Sequence, residues 1–119
     1  MKRGEIWLIN LDPTIGAEIK KTRPAVIVNN DAIGILPLKV IVPITDWKEH
    51  YAIAPWMIKI EPAARNGLKK ASAADTFQVR SVAQERLVRK LGTLDAHQMA
   101  QITTGLGLVL EVDIHGNEE

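Results

Sequence analysis

The run Lys20-Lys21-Thr22-Arg23-Pro24 sets a compact basic cluster ahead of an apolar stretch, Ala25 to Val28. An arginine carries a planar fork of donors that matches an anion such as phosphate bidentately, and it stays protonated at any working pH. Pro24 stiffens the chain directly behind Arg23, and a charge on a rigid strand is held in place better than one on a loop. Arg23 is therefore the first candidate for an anion-handling group. Thr45 is the second, because it follows Pro43-Ile44 at the end of an apolar run, where a hydroxyl can be held at a cleft. Gln78 and Arg80 share one face of an expected strand by period-2 spacing, adding an amide and a second cation. Glu18 and Asp12 lie in a long loop. Each has a structural reading as well: Thr45 closes a strand, Arg80 pairs with a surface acid, and Glu18 is a solvated loop charge.

Other chemistries are poorly served. There is no cysteine, so disulfides and thiolate metal sites are excluded. The histidines, His50, His97 and His115, are widely spaced and form no ligand pair such as H-E-x-x-H. No G-x-S-x-G, P-loop or dinucleotide fingerprint is present. What remains is a metal-free, cofactor-free site built from charge and hydroxyls.

The elements that must position these groups read as follows. With 119 residues, one domain is the expectation, and a hydrophobic fraction of 46% argues against disorder. Gly4 to Asn10 is an expected strand with apolar side chains on both faces, as in a covered sheet. Residues 11–22 lack periodicity, and loops of this length inside a domain are often functional. Further strands are expected at Pro24–Asn29, Leu38–Thr45, Pro55–Ile60 and, as one continuous run, Ala71–Val82. Pro43 suggests an edge or a bulge, and Asn66-Gly67 is a hairpin signal. Ser81 with Gln84 fits a capping box, so Ala83–Lys90 is expected to be helical, with Gly92 as its stop. Asp95 with Gln98 offers a second capping box before a helix whose apolar stripe runs through Met99, Ile102, Leu106 and Val109, and Gly105 permits close packing against the sheet. Strands followed by helices predict a mainly-β or α+β domain over residues 1–112. Residues 113–119 form an acidic tail. Residues 1–110 carry 15 basic and 10 acidic side chains, a mildly basic body compatible with a phosphate partner. No apolar run approaches the roughly 20 residues a membrane span needs, and the start lacks a signal-peptide pattern, which fits a cytoplasmic location.

The segments R-G-E-I-W-L-I-N-L-D-P (3–13), G-A-E-I-K-K-T-R-P-A-V-I-V-N-N-D (16–31) and V-P-I-T (42–45) closely resemble the MazF/PemK family of toxins. Q-V-R-S-V (78–82) and E-R-L (85–87) fit the same pattern. The resemblance runs in order over residues 2 to about 112. It implies a small SH3-like β-barrel of the CcdB/MazF toxin type with a C-terminal helix packed on it, acting as a homodimer. It also implies a metal-independent endoribonuclease that cuts single-stranded RNA at short sequences and is neutralised by a cognate antitoxin. Arg23 and Thr45 fall on the family's catalytic arginine and threonine, and Glu18 falls on a functionally important loop acid. Gln78 and Arg80 fall on a strand bordering the RNA groove, Lys20 and Lys21 would steer the RNA backbone, and Trp47, Tyr51 and Trp56 are available to stack on bases. Some members carry an acid where this chain has Phe77, an arginine at Asp75 and a loop histidine at Ala17, so a histidine–arginine–acid mechanism is not available here. Two alternatives stand beside the nuclease: a non-enzymatic poison of DNA gyrase, as the related CcdB proteins are, and a catalytically degenerate RNA- or antitoxin-binding module.

Overall fold

Apolar side chains occupy both faces of Glu5–Asn10, and these residues form β1, with Ile6 in one buried cluster and Ile9 in a second. The computed structural model describes residues 1–34 and 36–112; the acidic tail 113–119, with His115, lies outside them. β2 (Thr22–Ile27) and β3 (Leu38–Asp46) follow, then β4 (Met57–Ile60), β5 (Ser72–Asp75), β6 (Arg80–Ala83), β7 (Leu87–Thr93) and one helix, α1 (Ala96–Leu110). The antiparallel sheet runs β4-β5-β3-β2-β1-β7, with β6 pairing on β3. Among the described residues no helix is long and apolar enough to cross a membrane.

The two faces of β2 feed two cores. Val26 and Val28 join Ile6, Val42, Ile44 and Ile60 under Met99 and Ile102 of α1. Ala25 and Ile27 join Ile9, Leu11, Ile41, Val82 and Leu87 on the opposite face, where Ile19 of the long loop packs. Period-2 spacing sets Arg23 on that second face, just beyond Ala25.

β3 exchanges partners along its length. Leu38–Ile41 pair with β6, and Ile44–Asp46 pair with β5. Pro43 sits between these two ladders, so the edge or bulge expected there is instead an interior position. Val28 N donates to Val40 O at 2.9 Å, and the alternation of an antiparallel ladder then turns the Pro43 nitrogen away from β2, toward the handover. The missing N–H falls where no ladder bond is due. Pro24 has the opposite effect. Its nitrogen faces β3, and the β2–β3 pairing ends at Ala25↔Pro43.

The single strand expected over Ala71–Val82 is broken by a 3-10 turn at Thr76–Gln78. Asp75 caps it by accepting from Phe77 N at 3.1 Å, and Thr76, fully buried, donates its hydroxyl to Trp56 O at 2.7 Å. Gln78 and Arg80 therefore do not share a strand face.

The helix expected over Ala83–Lys90 does not form. Ser81 belongs to β6, Gln84–Arg86 make a short 3-10 turn, and Leu87–Thr93 pair with β1. The pairing with β1 overrides a helix-compatible composition. The Asn66-Gly67 turn lies within the 61–71 connection that joins the antiparallel neighbours β4 and β5, so the hairpin it signals forms with a long loop. Its Asn66 side chain is buried, accepting from Ala63 N and Leu68 N and donating to Glu61 O.

The second capping box is present: Asp95 accepts from Gln98 N at 2.8 Å, and the Gln98 side chain returns to Asp95 N at 3.1 Å. Gly105 sits where an added Cβ would lie 3.0 Å from the Thr76 side chain, so the close helix–sheet approach expected there is observed. Asp95→Ala is expected to cost about 1 kcal/mol and lower Tm by roughly 4 °C in a thermal melt.

Candidate functional site

The long loop between β1 and β2 has a tied base. Asp12 Oδ1 accepts from Lys21 N at 3.0 Å, Leu11 N donates to Lys21 O at 3.1 Å, and Lys21 takes a positive φ of 72°. Arg86 donates to the carbonyls of Asn10 and Asp12, fixing the same base from β7's side. Asp12 is thus part of the loop's scaffold. The loop's far part, Ala17, Glu18 and Ile19, forms one wall of a groove of about 510 Å³. Phe77, Gln78, Val79 and Arg80 form the other wall, and Pro43 lines it between them.

Arg23 is half-buried at the start of β2, and its Nε donates to Lys20 O at 3.0 Å. Among the described residues its two terminal guanidinium nitrogens have no partner. Arg23 and Thr45 each lie two residues beyond the last β2–β3 pair, Ala25↔Pro43; there Arg23 pairs with Ile9 of β1. Thr45, half-buried, pairs with Ala73 on its other side, and its hydroxyl makes no hydrogen bond among the described residues. A free guanidinium fork and a free hydroxyl therefore lie on neighbouring strand ends, on the same face as Pro43.

Glu18 is exposed, and its Oε1 accepts from Ile15 N at 2.7 Å. Lys20 and Lys21 are exposed, and among the described residues neither they nor Arg80 makes an ion pair. Arg80 is half-buried in the groove wall, so the surface-acid alternative for it does not occur.

Gln78 has its amide engaged at both ends. Its Oε1 accepts from Ile19 N at 2.7 Å, and its Nε2 donates to Asp75 Oδ2 at 3.2 Å. Burial pushes the Asp75 carboxyl above its ordinary value, against the opposing pull of the Phe77 amide and of the Gln78 side-chain and backbone amides.

Trp47 and Tyr51 do not line the groove. They pack edge-to-face at 5.8 Å, His50 lies 4.7 Å from Tyr51, and Lys59 Nζ sits 5.0 Å from the Trp47 ring centre. The exposed aromatic pair is a different one. Phe77 and Trp56 lie 6.4 Å apart, with 66% and 38% of their surfaces open, and Phe77 borders the groove. Sequence reasoning took Phe77 only as a departure. The signal that could have found it is Asp75 two residues earlier, an Asx-type cap that turns the chain outward.

Among the described residues no group of three His, Asp or Glu side chains could hold a metal. The arrangement offers cations, a hydroxyl, one carboxylate and an aromatic step. Together these can bind an anionic strand, stabilise charge on it and stack its planar parts.

Comparison with known proteins gives the same direction. Residues 2–110 match the family model described as PemK-like, MazF-like toxin of type II toxin–antitoxin system. The chain is 35% identical to Endoribonuclease MazF9 of Mycobacterium tuberculosis, over 94% of this chain and 98% of that one. Among solved structures it resembles MazF from Deinococcus radiodurans, with a TM-score of 0.77 at 23% identity over 94% and 97% of the two chains. It also resembles an endoribonuclease in complex with its cognate antitoxin from Mycobacterial species, with a TM-score of 0.74 at 19% identity over 95% and 97% of the chains.

Proposed function

The chain belongs to the PemK-like, MazF-like toxin family of type II toxin–antitoxin systems, and on that premise we propose how it acts. It is an endoribonuclease toxin whose neutralising partner is a cognate antitoxin protein. Its relatives at this similarity are named endoribonucleases, which decides against the gyrase-poisoning alternative. Residues 1–112 act as one toxin domain, paired as a homodimer in the cytoplasm, and the substrate is single-stranded RNA.

What supports the mechanism is that, among the described residues, the terminal nitrogens of Arg23 and the hydroxyl of Thr45 have no partner and lie on neighbouring strand ends. RNA brings its own nucleophile. The 2′-hydroxyl attacks the adjacent phosphorus, the bond to the 5′-oxygen breaks, and the products are a 2′,3′-cyclic phosphate and a 5′-hydroxyl. The chain has only to align the strand, move two protons and neutralise the charge that grows on the phosphorane oxygens. Arg23 does the last through its terminal nitrogens, because preorganised donors gain most where charge develops, and an N–H of the same guanidinium donated to the leaving 5′-oxygen passes it a proton that solvent restores at once. Thr45 hydrogen-bonds the phosphate or the 2′-hydroxyl. Glu18 has, among the described residues, one carboxylate oxygen without a partner on the groove wall, and it accepts the 2′-hydroxyl proton. Lys20, Lys21 and Arg80 hold phosphates.

Bases stack on Phe77 and Trp56 rather than on Trp47 and Tyr51, which are occupied with each other. Phe77→Ala is expected to raise KM for RNA about tenfold with kcat unchanged, since stacking contributes roughly 1–3 kcal/mol per base. Steady-state cleavage of a short fluorescent RNA reads this.

The function itself is tested by incubating the purified protein with a long mixed-sequence RNA in EDTA and mapping new 5′-hydroxyl ends. Cuts are expected at one recurrent short motif. RNA left intact at every protein concentration would leave the chain a binding module without catalysis.

A further inference from the structure

Four residues link the buried end of β5 to the arginine across the groove. Asp75 Oδ2 accepts from Gln78 Nε2 at 3.2 Å, and Gln78 Oε1 accepts from Ile19 N at 2.7 Å. The next residue, Lys20, accepts from Arg23 Nε through its carbonyl at 3.0 Å. We propose that Asp75 and Gln78 are positioning residues, whose hydrogen-bonded chain through Ile19 and Lys20 fixes the long loop and aims the Arg23 guanidinium. The proposal rests on Arg23 being the phosphate-stabilising group.

The chain has a polarity, and only some residue pairs satisfy it. Ile19 N–H can only donate, so Gln78 must present oxygen to it. The Gln78 nitrogen then points at position 75, which must accept. A carboxylate accepts on both oxygens, one from Phe77 N and one from Gln78 Nε2. Asp75 is buried and anchored by that Phe77 contact, so the fixed end is Asp75 and the steered end is the loop. An exposed loop that lacks regular structure gains a defined conformation from a tie of this kind. Gln78 spends its oxygen and one of its two amide N–H groups on these ties.

The polarity supplies the test. Asp75→Asn sets an amide N–H against the Gln78 N–H, and turning the glutamine over only moves the conflict to Ile19. Gln78→Glu sets two carboxylates face to face. The double variant Asp75→Asn/Gln78→Glu reverses the inner bond and satisfies every partner, with no change in net charge. Gln78→Ala deletes the link without adding a charge or a conflict.

Two readouts are compared across the five proteins at neutral pH: kcat and KM for RNA cleavage in EDTA, and hydrogen exchange of the Ile19 amide. In both single exchanges and in Gln78→Ala, kcat is expected to fall about tenfold or more with KM changed less than about twofold, since small misplacements of a catalytic group act on kcat. Ile19 protection should fall in parallel. In the double variant both should return to within about threefold of the unaltered protein, the non-additivity that marks a direct contact. A double variant no better than its weaker parent overturns the proposal. So does a rise in KM at constant kcat in Gln78→Glu, which would place Gln78 on the RNA. If the unaltered protein cuts no RNA, the nuclease reading fails by itself, and Ile19 protection still decides whether the chain exists.

Discussion

Arg23→Ala is expected to lower kcat for RNA cleavage by about 10²–10³-fold, the loss that follows removal of one preorganised donor to a developing oxyanion. The expectation comes from what the guanidinium does and does not touch. Its Nε is spent on the Lys20 carbonyl, and among the described residues its terminal nitrogens have no partner. The side chain contributes little to the core, so the fold should lose no more than about 1 kcal/mol from the single hydrogen bond. Arg23→Lys restores charge but not the fork, nor the Nε tie to the loop, and should recover only a minor part of the rate. Single-turnover cleavage of a defined RNA in EDTA, with thermal melts alongside, separates the two effects. An Arg23→Ala protein that cuts at an unaltered rate would move the chemistry away from β2 altogether.

Arg23 was legible because its signal is local. Thr22-Arg23-Pro24 precedes a continuous apolar run, Ala25 to Val28, that specifies a buried strand, and Pro24 ends the β2–β3 ladder at Ala25↔Pro43. β1, β3 and the capped helix were legible for the same reason, since a capping box and period-2 spacing are short-range codes. The turn at Thr76–Gln78 was not. Its composition continues the alternation of its neighbours, and what bends it is distant in sequence: the Trp56 carbonyl that binds Thr76, and Gly105 pressed against the same side chain. Missing that turn misplaced Gln78 on a strand and hid Phe77 as an exposed ring. Residues 83–93 failed in the opposite way. Their composition suits a helix, but β1 offers an open edge, and pairing with it prevails. Glu18 was found as a residue on the groove wall, where it is exposed.

Gly92 shows what such a misreading conceals. As a helix stop it would tolerate many residues. In β7 it is expected to tolerate none: Gly92→Ala should cost about 3 kcal/mol and lower Tm by roughly 10 °C. An added Cβ would lie 2.3 Å from Arg65 O and 2.5 Å from Asn66 C. These are backbone atoms, and they have little freedom to retreat. Asn66 is buried and holds Ala63 N, Leu68 N and Glu61 O, and Arg65 O accepts from Thr93 N at 3.0 Å. Gly67 meets the same packing from the other side, with a Cβ 2.2 Å from Leu91 O at a φ of +72°. Gly67→Ala should therefore be at least as damaging, because the clash adds to the left-handed strain. Gly16 supplies the control. It has φ +60° but nothing within 4 Å of its Cβ position, so Gly16→Ala should cost only about 1 kcal/mol of backbone strain. Chemical denaturation of the three variants ranks them. If Gly92→Ala proved no worse than Gly16→Ala, the backbone-to-backbone contact of β7 with the Arg65–Gly67 turn would not be the tight one described. If the ranking holds, the glycine serves the sheet edge that holds β1, and through it the base of the loop that carries Glu18.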